Sequence, residues 1–271
     1  MSLHDAYARR TPFELAFPDA GAVERLIAEI EEEADGRGAD PSDPQAFITM
    51  GAVGAFIREI QGPDAPPEAL HRYGALVFHA VHFASAGSPV FVLGADAARH
   101  LVSTAPEGSP TPPGSCGYLQ LPQHLFWTGG DEGAPESIDG LFWTLSSNGL
   151  MHVLLITGVR PDRTGFGAVP LPEAPLADAS GWLDVQVRDG AADFSSALPG
   201  GELDELYSVE AAGEALKLLA RFFAYISTAP GAIEQHPAGR QESSDPPASA
   251  LPFSRVTYPG AAVPYEGQPD G

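Results

Sequence analysis

Residues 140–157 read GLFWTLSSNGLMHVLLIT. Two apolar, strand-type runs flank Ser147-Asn148-Gly149, and an Asn-Gly step between such runs predicts a β-hairpin with a type I′ turn. Working outward, the hydrophobic period stays at two. Candidate strands are Gly117–Leu121, Leu125–Thr128, Gly140–Ser146, Leu150–Thr157, Phe166–Leu171 and Trp182–Val187. No helical pattern separates them, so they are expected to pair antiparallel, in a sheet of about five to six strands.

Before this region the pattern is helical. Val23, Leu26, Ile27 and Ile30 recur at i, i+3, i+4 and i+7, which is one face of a helix, and Gly36 and Gly38 stop it. The acidic run Glu31–Glu33, with Glu29 before it, reads as a solvated helix end. A second helix is expected from Pro44 to about Ile60 with Asp43 or Ser42 as its cap, and a third from about Pro67 to Ala86. Pro89–Leu93 is a short apolar run of strand type, and Ala95–Val102 a short helix. Four prolines and three glycines between Ser103 and Gly117 mark a loop. After the strands one more helix is expected over 208–228. From Pro237 onward, 11 of 35 residues are Pro or Gly and no period survives. The expectation is therefore an α+β protein, with N-terminal helices and one late helix packed on an antiparallel sheet. Residues 1–236 form a single domain: a helical part over 12–103, a sheet part over 116–190 and a closing helix over 208–228. Residues 237–271 read as a flexible Pro/Gly-rich tail.

The chain has 271 residues, of which 44% are hydrophobic, enough for a substantial core. It carries 36 Asp+Glu against 14 Lys+Arg, a net charge of -22, and Lys217 is the only lysine. Direct nucleic-acid binding needs clustered cations, and so does an anionic membrane surface; neither fits this balance. A basic protein partner does. The lone cysteine, Cys116, excludes an intrachain disulfide. No apolar stretch reaches the length of a signal peptide at the N-terminus or of a membrane span elsewhere, so the expected location is the cytoplasm.

Chemistry-bearing patterns are few. His79 and His82, in FHAVHF, share a helix face and could reach one metal, but no further ligand is nominated and HExxH is absent. His124, His152, Asp139, Ser146 and Ser147 could supply parts of a Ser-His-Asp set, yet there is no GxSxG elbow. Cys116 could be a nucleophile beside a histidine or a small buried hydrophobe. No phosphate-binding glycine loop occurs, and no cofactor is implied. The aromatics are more telling. Phe126-Trp127 and Phe142-Trp143 must each point to opposite faces of a sheet. Either both faces are covered, or one presents large aromatics to a partner, as binding surfaces do.

The order of RYGALVFHAVHF (72–83), a proline-rich loop, YLQLPQHLFW (118–127), DGLFWTL (139–145), LMHVLLITG (150–158) and LKLLARFFAYISTAPGAIEQHP (216–237) resembles a phage- and plasmid-borne family of inhibitors of type V-A CRISPR nucleases. The resemblance is one of pattern and covers residues 68–237. It implies a non-enzymatic protein, encoded on a mobile element, that binds a segment of another protein, in that family the N-terminal part of the nuclease. The family continues into a long basic C-terminal region, where this chain has its Pro/Gly-rich segment.

Together these readings favour a non-enzymatic, acidic protein-binding module. Its expected partner-binding residues are Trp127, Phe142 and Trp143 as apolar contacts, with Asp131, Glu132 and Glu136 as an acidic rim. The alternative is a small hydrolase or metal-dependent enzyme centred on His79 and His82.

Overall fold

The hairpin forms with β4 (Glu136–Leu145) and β5 (Leu150–Thr157) paired antiparallel. Its turn differs from the expected type I′. Gly149 N–H closes on Ser146 C=O at 3.0 Å, and within the loop the positive φ falls on Gly149 (83°). This is the three-residue loop that ends in a left-handed glycine, and it needs one glycine where a type I′ turn needs two residues of positive φ. The Asn148 carboxamide oxygen accepts Leu150 N–H at 3.0 Å and fixes the exit.

The computed structural model describes residue 3 and residues 9–17, 20–61, 68–104, 107–128, 135–159, 166–175, 206–237 and 249–260. Its helices are α1 (Pro12–Ala16), α2 (Ala20–Arg37), α3 (Pro44–Phe47), α4 (Met50–Gln61), α5 (Glu68–Ser85), α6 (Ala95–Ser103) and α7 (Leu206–Thr228). The remaining strands are β1 (Val90–Leu93), β2 (Cys116–Gln120), β3 (Trp127–Thr128), β6 (Gly167–Pro175), β7 (Ile233–His236) and β8 (Phe253–Val256).

The expectation of a five- to six-stranded antiparallel sheet is corrected here. The sheet has eight strands and is mixed, in the order β6-β5-β4-β2-β1-β8-β7, with β3 on β4. β1 runs parallel to β2 on one side and to β8 on the other, while the outer pairs are antiparallel. Parallel neighbours need a crossover between them. From β1 to β2 it is made by the nine-residue α6 and the Pro/Gly-rich loop, so the sheet begins before the region where the period of two becomes visible. β8 lies inside 237–271, the stretch expected to be a flexible tail. It is held by the backbone: Val256 is fully buried, and its carbonyl accepts Gly94 N–H at 2.9 Å. A Cβ on Gly94 would meet that carbonyl at 3.1 Å, which explains glycine at this crossing. The candidate strand Trp182–Val187 lies outside the described residues.

The expected second helix is two. Asp43 caps α3, but the Arg37 guanidinium donates to the carbonyls of Ala46 (2.7 Å) and Phe47 (3.0 Å), which a continuing helix would have used itself. Thr49 then restarts the chain by accepting Ala52 N–H at 3.1 Å through its hydroxyl.

Helices cover both faces of the sheet. On one side α1 to α5 pack on Val90, Val92, Tyr118, Phe142, Leu154 and Ile156. On the other, α6 and α7 pack on Leu93, Leu119, Leu141, Trp143, Val153 and Leu155. A register shift between Ile138 and Gly140 lets Ile138 and Leu141, three residues apart, share the α6–α7 side. At that bulge Asp139 is buried. Its carboxylate pairs with Arg9 at 3.0 Å and accepts Val159 N–H at 2.7 Å, which fixes the segment before α1 to the sheet.

Candidate functional site

The expected aromatic face is internal. Phe142 and Trp143 are each 1% exposed, on opposite sides of β4. Phe142 packs against Tyr118 and Phe83, with ring centres 4.6 and 5.3 Å away. Trp143 sits against Phe223 at 5.1 Å and Phe91 at 5.9 Å. These two residues build the two cores and are closed to a partner. Trp127 is half-buried on the two-residue β3 and stacks on His124 (5.3 Å, 16°). Glu136 is half-buried and accepts the Thr157 hydroxyl at 3.1 Å, so its carboxylate braces neighbouring strands. Asp131 and Glu132 lie outside the described residues.

The histidines of α5 lie over a polar row that the strand register creates. Cys116 is opposite Thr144, and Thr144 is opposite His152, on three adjacent strands. His79 Nδ1 meets the Thr144 hydroxyl at 3.0 Å, and the Cys116 thiol donates to the His82 carbonyl at 3.2 Å. His79 is enclosed. Burial, reinforced by the His152 and His82 rings, takes its pKa from 6.5 down to about 3, so it is held neutral. His82 is lowered by burial too, against a backbone hydrogen bond with Pro41 and the charge of Glu31, with His152 acting in the same direction as burial. Burial raises the Cys116 thiol above its ordinary range, the opposite of what a nucleophilic cysteine needs. Among the described residues no three His, Cys, Asp or Glu side chains converge as a metal site requires. The row is internal: Cys116, Thr144 and His152 are all buried, beneath an enclosed His79.

The feature open to a ligand is elsewhere. A groove of about 860 Å³ runs between α1, α2, the end of α5 and residues 250–251. Its floor is apolar: Phe13, Phe17, Val23, Ile27 and Leu251. Its charged lining is Arg10, Glu14, Glu24 and Glu31, three carboxylates against one guanidinium. The local sequence explains the walls. Thr11 and Glu14 form a reciprocal capping box at the start of α1, with Pro12 in the first turn. The same Glu14 carboxylate accepts the Ser249 hydroxyl at 2.8 Å and Ala250 N–H at 2.7 Å. That holds the approach to β8 as the far wall. Glu31 accepts the Ser85 hydroxyl at 2.8 Å, which joins α2 to the end of α5.

Sequence reasoning missed this groove, although part of its signal was present. Glu24, Ile27, Ala28 and Glu31 stand at i, i+3, i+4 and i+7, a face adjoining the core stripe of α2. Glu31 belongs to the acidic run that reads as a solvated helix end, and Thr-Pro-Phe-Glu at 11–14 carries the capping-box pattern of α1. The contribution of Leu251 had no sequence signal, because it depends on β8 returning to the sheet.

No family model, curated protein or solved structure matches the chain. Among the described residues, no helix is long and apolar enough to cross a membrane.

Proposed function

We propose that this chain is a non-enzymatic protein-binding module that captures a segment of another protein. The groove carries this reading: an apolar floor rimmed mainly by carboxylates, on a protein of net charge -22. Concave apolar sites with a few placed charges are the usual form of a binding site, and opposite charge speeds and selects the encounter. The enzymatic alternative draws no comparable support. His79 is enclosed with Nδ1 bonded to Thr144, and the Cys116 thiol is directed at a carbonyl, not at a histidine. Within the binding class, the resemblance to the nuclease inhibitors makes a type V-A CRISPR nuclease the first whole-protein partner to assay.

The test is to pan a displayed library of short random peptides against the folded protein, with the urea-unfolded chain as a charge-matched control. Enrichment of a consensus on the folded protein alone supports the module. Equal recovery on folded and unfolded chain means bulk charge does all the binding, and the reading falls.

A further inference from the structure

We infer that the groove takes a basic segment whose two cations, about 10 Å apart, seat on Glu24 and Glu31 and flank an apolar side chain placed on Ile27. This rests on the protein-binding reading above and specifies the chemistry of the partner.

Glu24 and Glu31 are seven residues apart on α2, two helical turns, so their Cα atoms are separated by about 10 Å along the axis. Both residues are exposed, and between them lie half-buried Ile27 and exposed Ala28. At Ala28 the missing side-chain bulk lets a ligand approach the helix closely. The carboxylates of the groove are not equivalent. Glu14 is taken up by the Thr11 backbone and hydroxyl, Ser249 and Ala250, so it builds the wall. Glu31 is oriented by one hydroxyl bond, from Ser85 to Oε1, and among the described residues nothing bonds its Oε2. Arg10 is the cation among the lining residues, so a segment with two carboxylates at the same spacing would meet two like charges and one opposite.

The spacing fixes the register of the partner. In an extended polyproline-type segment residues i and i+3 share a face about 9 Å apart, but the two residues between them point to other faces. In a helix i and i+7 share a face about 10 Å apart. The helix alone therefore places an apolar residue, Leu or Ile at i+3 or i+4, on the same face between its two cations, and it meets Glu24, Ile27 and Glu31 in order.

The test uses a fluorescein-labelled helical probe with lysines at i and i+7 and a leucine at i+4. Binding is read by anisotropy at physiological salt against wild type and three variants. E24K/E31K reverses the groove charges. E29K/E32K makes the same change in net charge on the same helix, outside the groove lining. Ala28→Trp fills the groove from an exposed position and leaves the core untouched. Circular dichroism checks that each variant is folded. The expected result is that the probe binds, that E24K/E31K weakens it by about tenfold or more, that E29K/E32K changes it by less than about threefold, and that Ala28→Trp abolishes it. Equal weakening by both charge variants, binding that survives Ala28→Trp, or no binding of the probe overturns the inference. If panning still yields a consensus whose binding ignores E24K/E31K, the groove assignment fails alone; if panning enriches nothing, the protein-binding reading fails with it.

Discussion

Acid should destabilise this protein before its carboxylates are protonated, and His79 should be a principal cause. The ring is enclosed between α5 and the sheet, with Thr144 on Nδ1, the rings of Phe78 and Phe142 beside it, and His152 and His82 as its titratable neighbours. Its folded pKa is about 3 against an ordinary 6.5. Between those values the unfolded chain binds a proton that the folded chain refuses. Stability is therefore complete above pH 6.5, falls as the pH drops through it, and goes on falling toward pH 3. The slope is about 1.4 kcal/mol per pH unit, so at about pH 5 His79 alone removes about 2 kcal/mol. That is a large share of the roughly 5–15 kcal/mol a domain has. His82, shifted the same way, steepens the loss. The assay is urea unfolding followed by tryptophan fluorescence at several pH values from about 7.5 to about 5 at constant ionic strength. The perturbation is His79→Asn, which keeps a hydrogen-bonding group for Thr144 and removes the titration. The variant should be less stable at every pH, yet lose about 2 kcal/mol less than wild type over the interval. Parallel curves for the two proteins would refute the reasoning.

Four further outcomes are expected. Trp143→Ala should cost about 3–5 kcal/mol in denaturant unfolding, because it empties a site between Phe91 and Phe223, whereas half-buried Trp127→Ala should cost under about 1 kcal/mol. Asp139→Asn should cost about 3–5 kcal/mol by leaving Arg9 buried without its counter-charge, and adding Arg9→Met should recover part of that loss on the same curves. Cys116 should react with a thiol reagent far more slowly in the folded protein than in denaturant, since it is buried and its pKa is raised; equal rates would contradict its placement. Ending the chain after Pro237 should give an aggregation-prone product, because β1 and β7 both lose β8; a soluble monomer with an unchanged melting temperature would argue against this sheet order.

Some of this architecture can be read from local chemistry. β5 occupies Leu150–Thr157, as its apolar run after the Asn148-Gly149 turn implies, and α6 begins at Ala95. These elements carry their own signals in a glycine turn and an amphipathic period. What escapes is set by distant backbone. β1 is legible as the apolar run Pro89–Leu93, but the four residues of β8 are too short to show a period, and parallel pairing leaves no mark on side-chain order. The broken helix at Ile48-Thr49 depends on Arg37 arriving from another helix. The alternation of Phe142 and Trp143 correctly assigns them to opposite faces. It cannot tell that both faces are covered, because the covering helices come from opposite ends of the chain. The same limit explains the candidate site: the histidine pair is visible in one helix, whereas the groove is assembled from four separate segments.

The position of β8 also bears on how the protein is made. β8 begins 160 residues after β1 ends. At roughly 5–20 residues per second, a ribosome takes about 8–32 s to cover that interval. Throughout it the nascent chain holds β1 with one neighbour at most, and its Val90-Phe-Val-Leu93 edge offers free backbone groups to any passing strand. β8, made long after β1 and β2 are paired, therefore closes the open edge of β1 and ties β7 to the sheet, and chaperone demand in expression should concentrate in the interval before its synthesis.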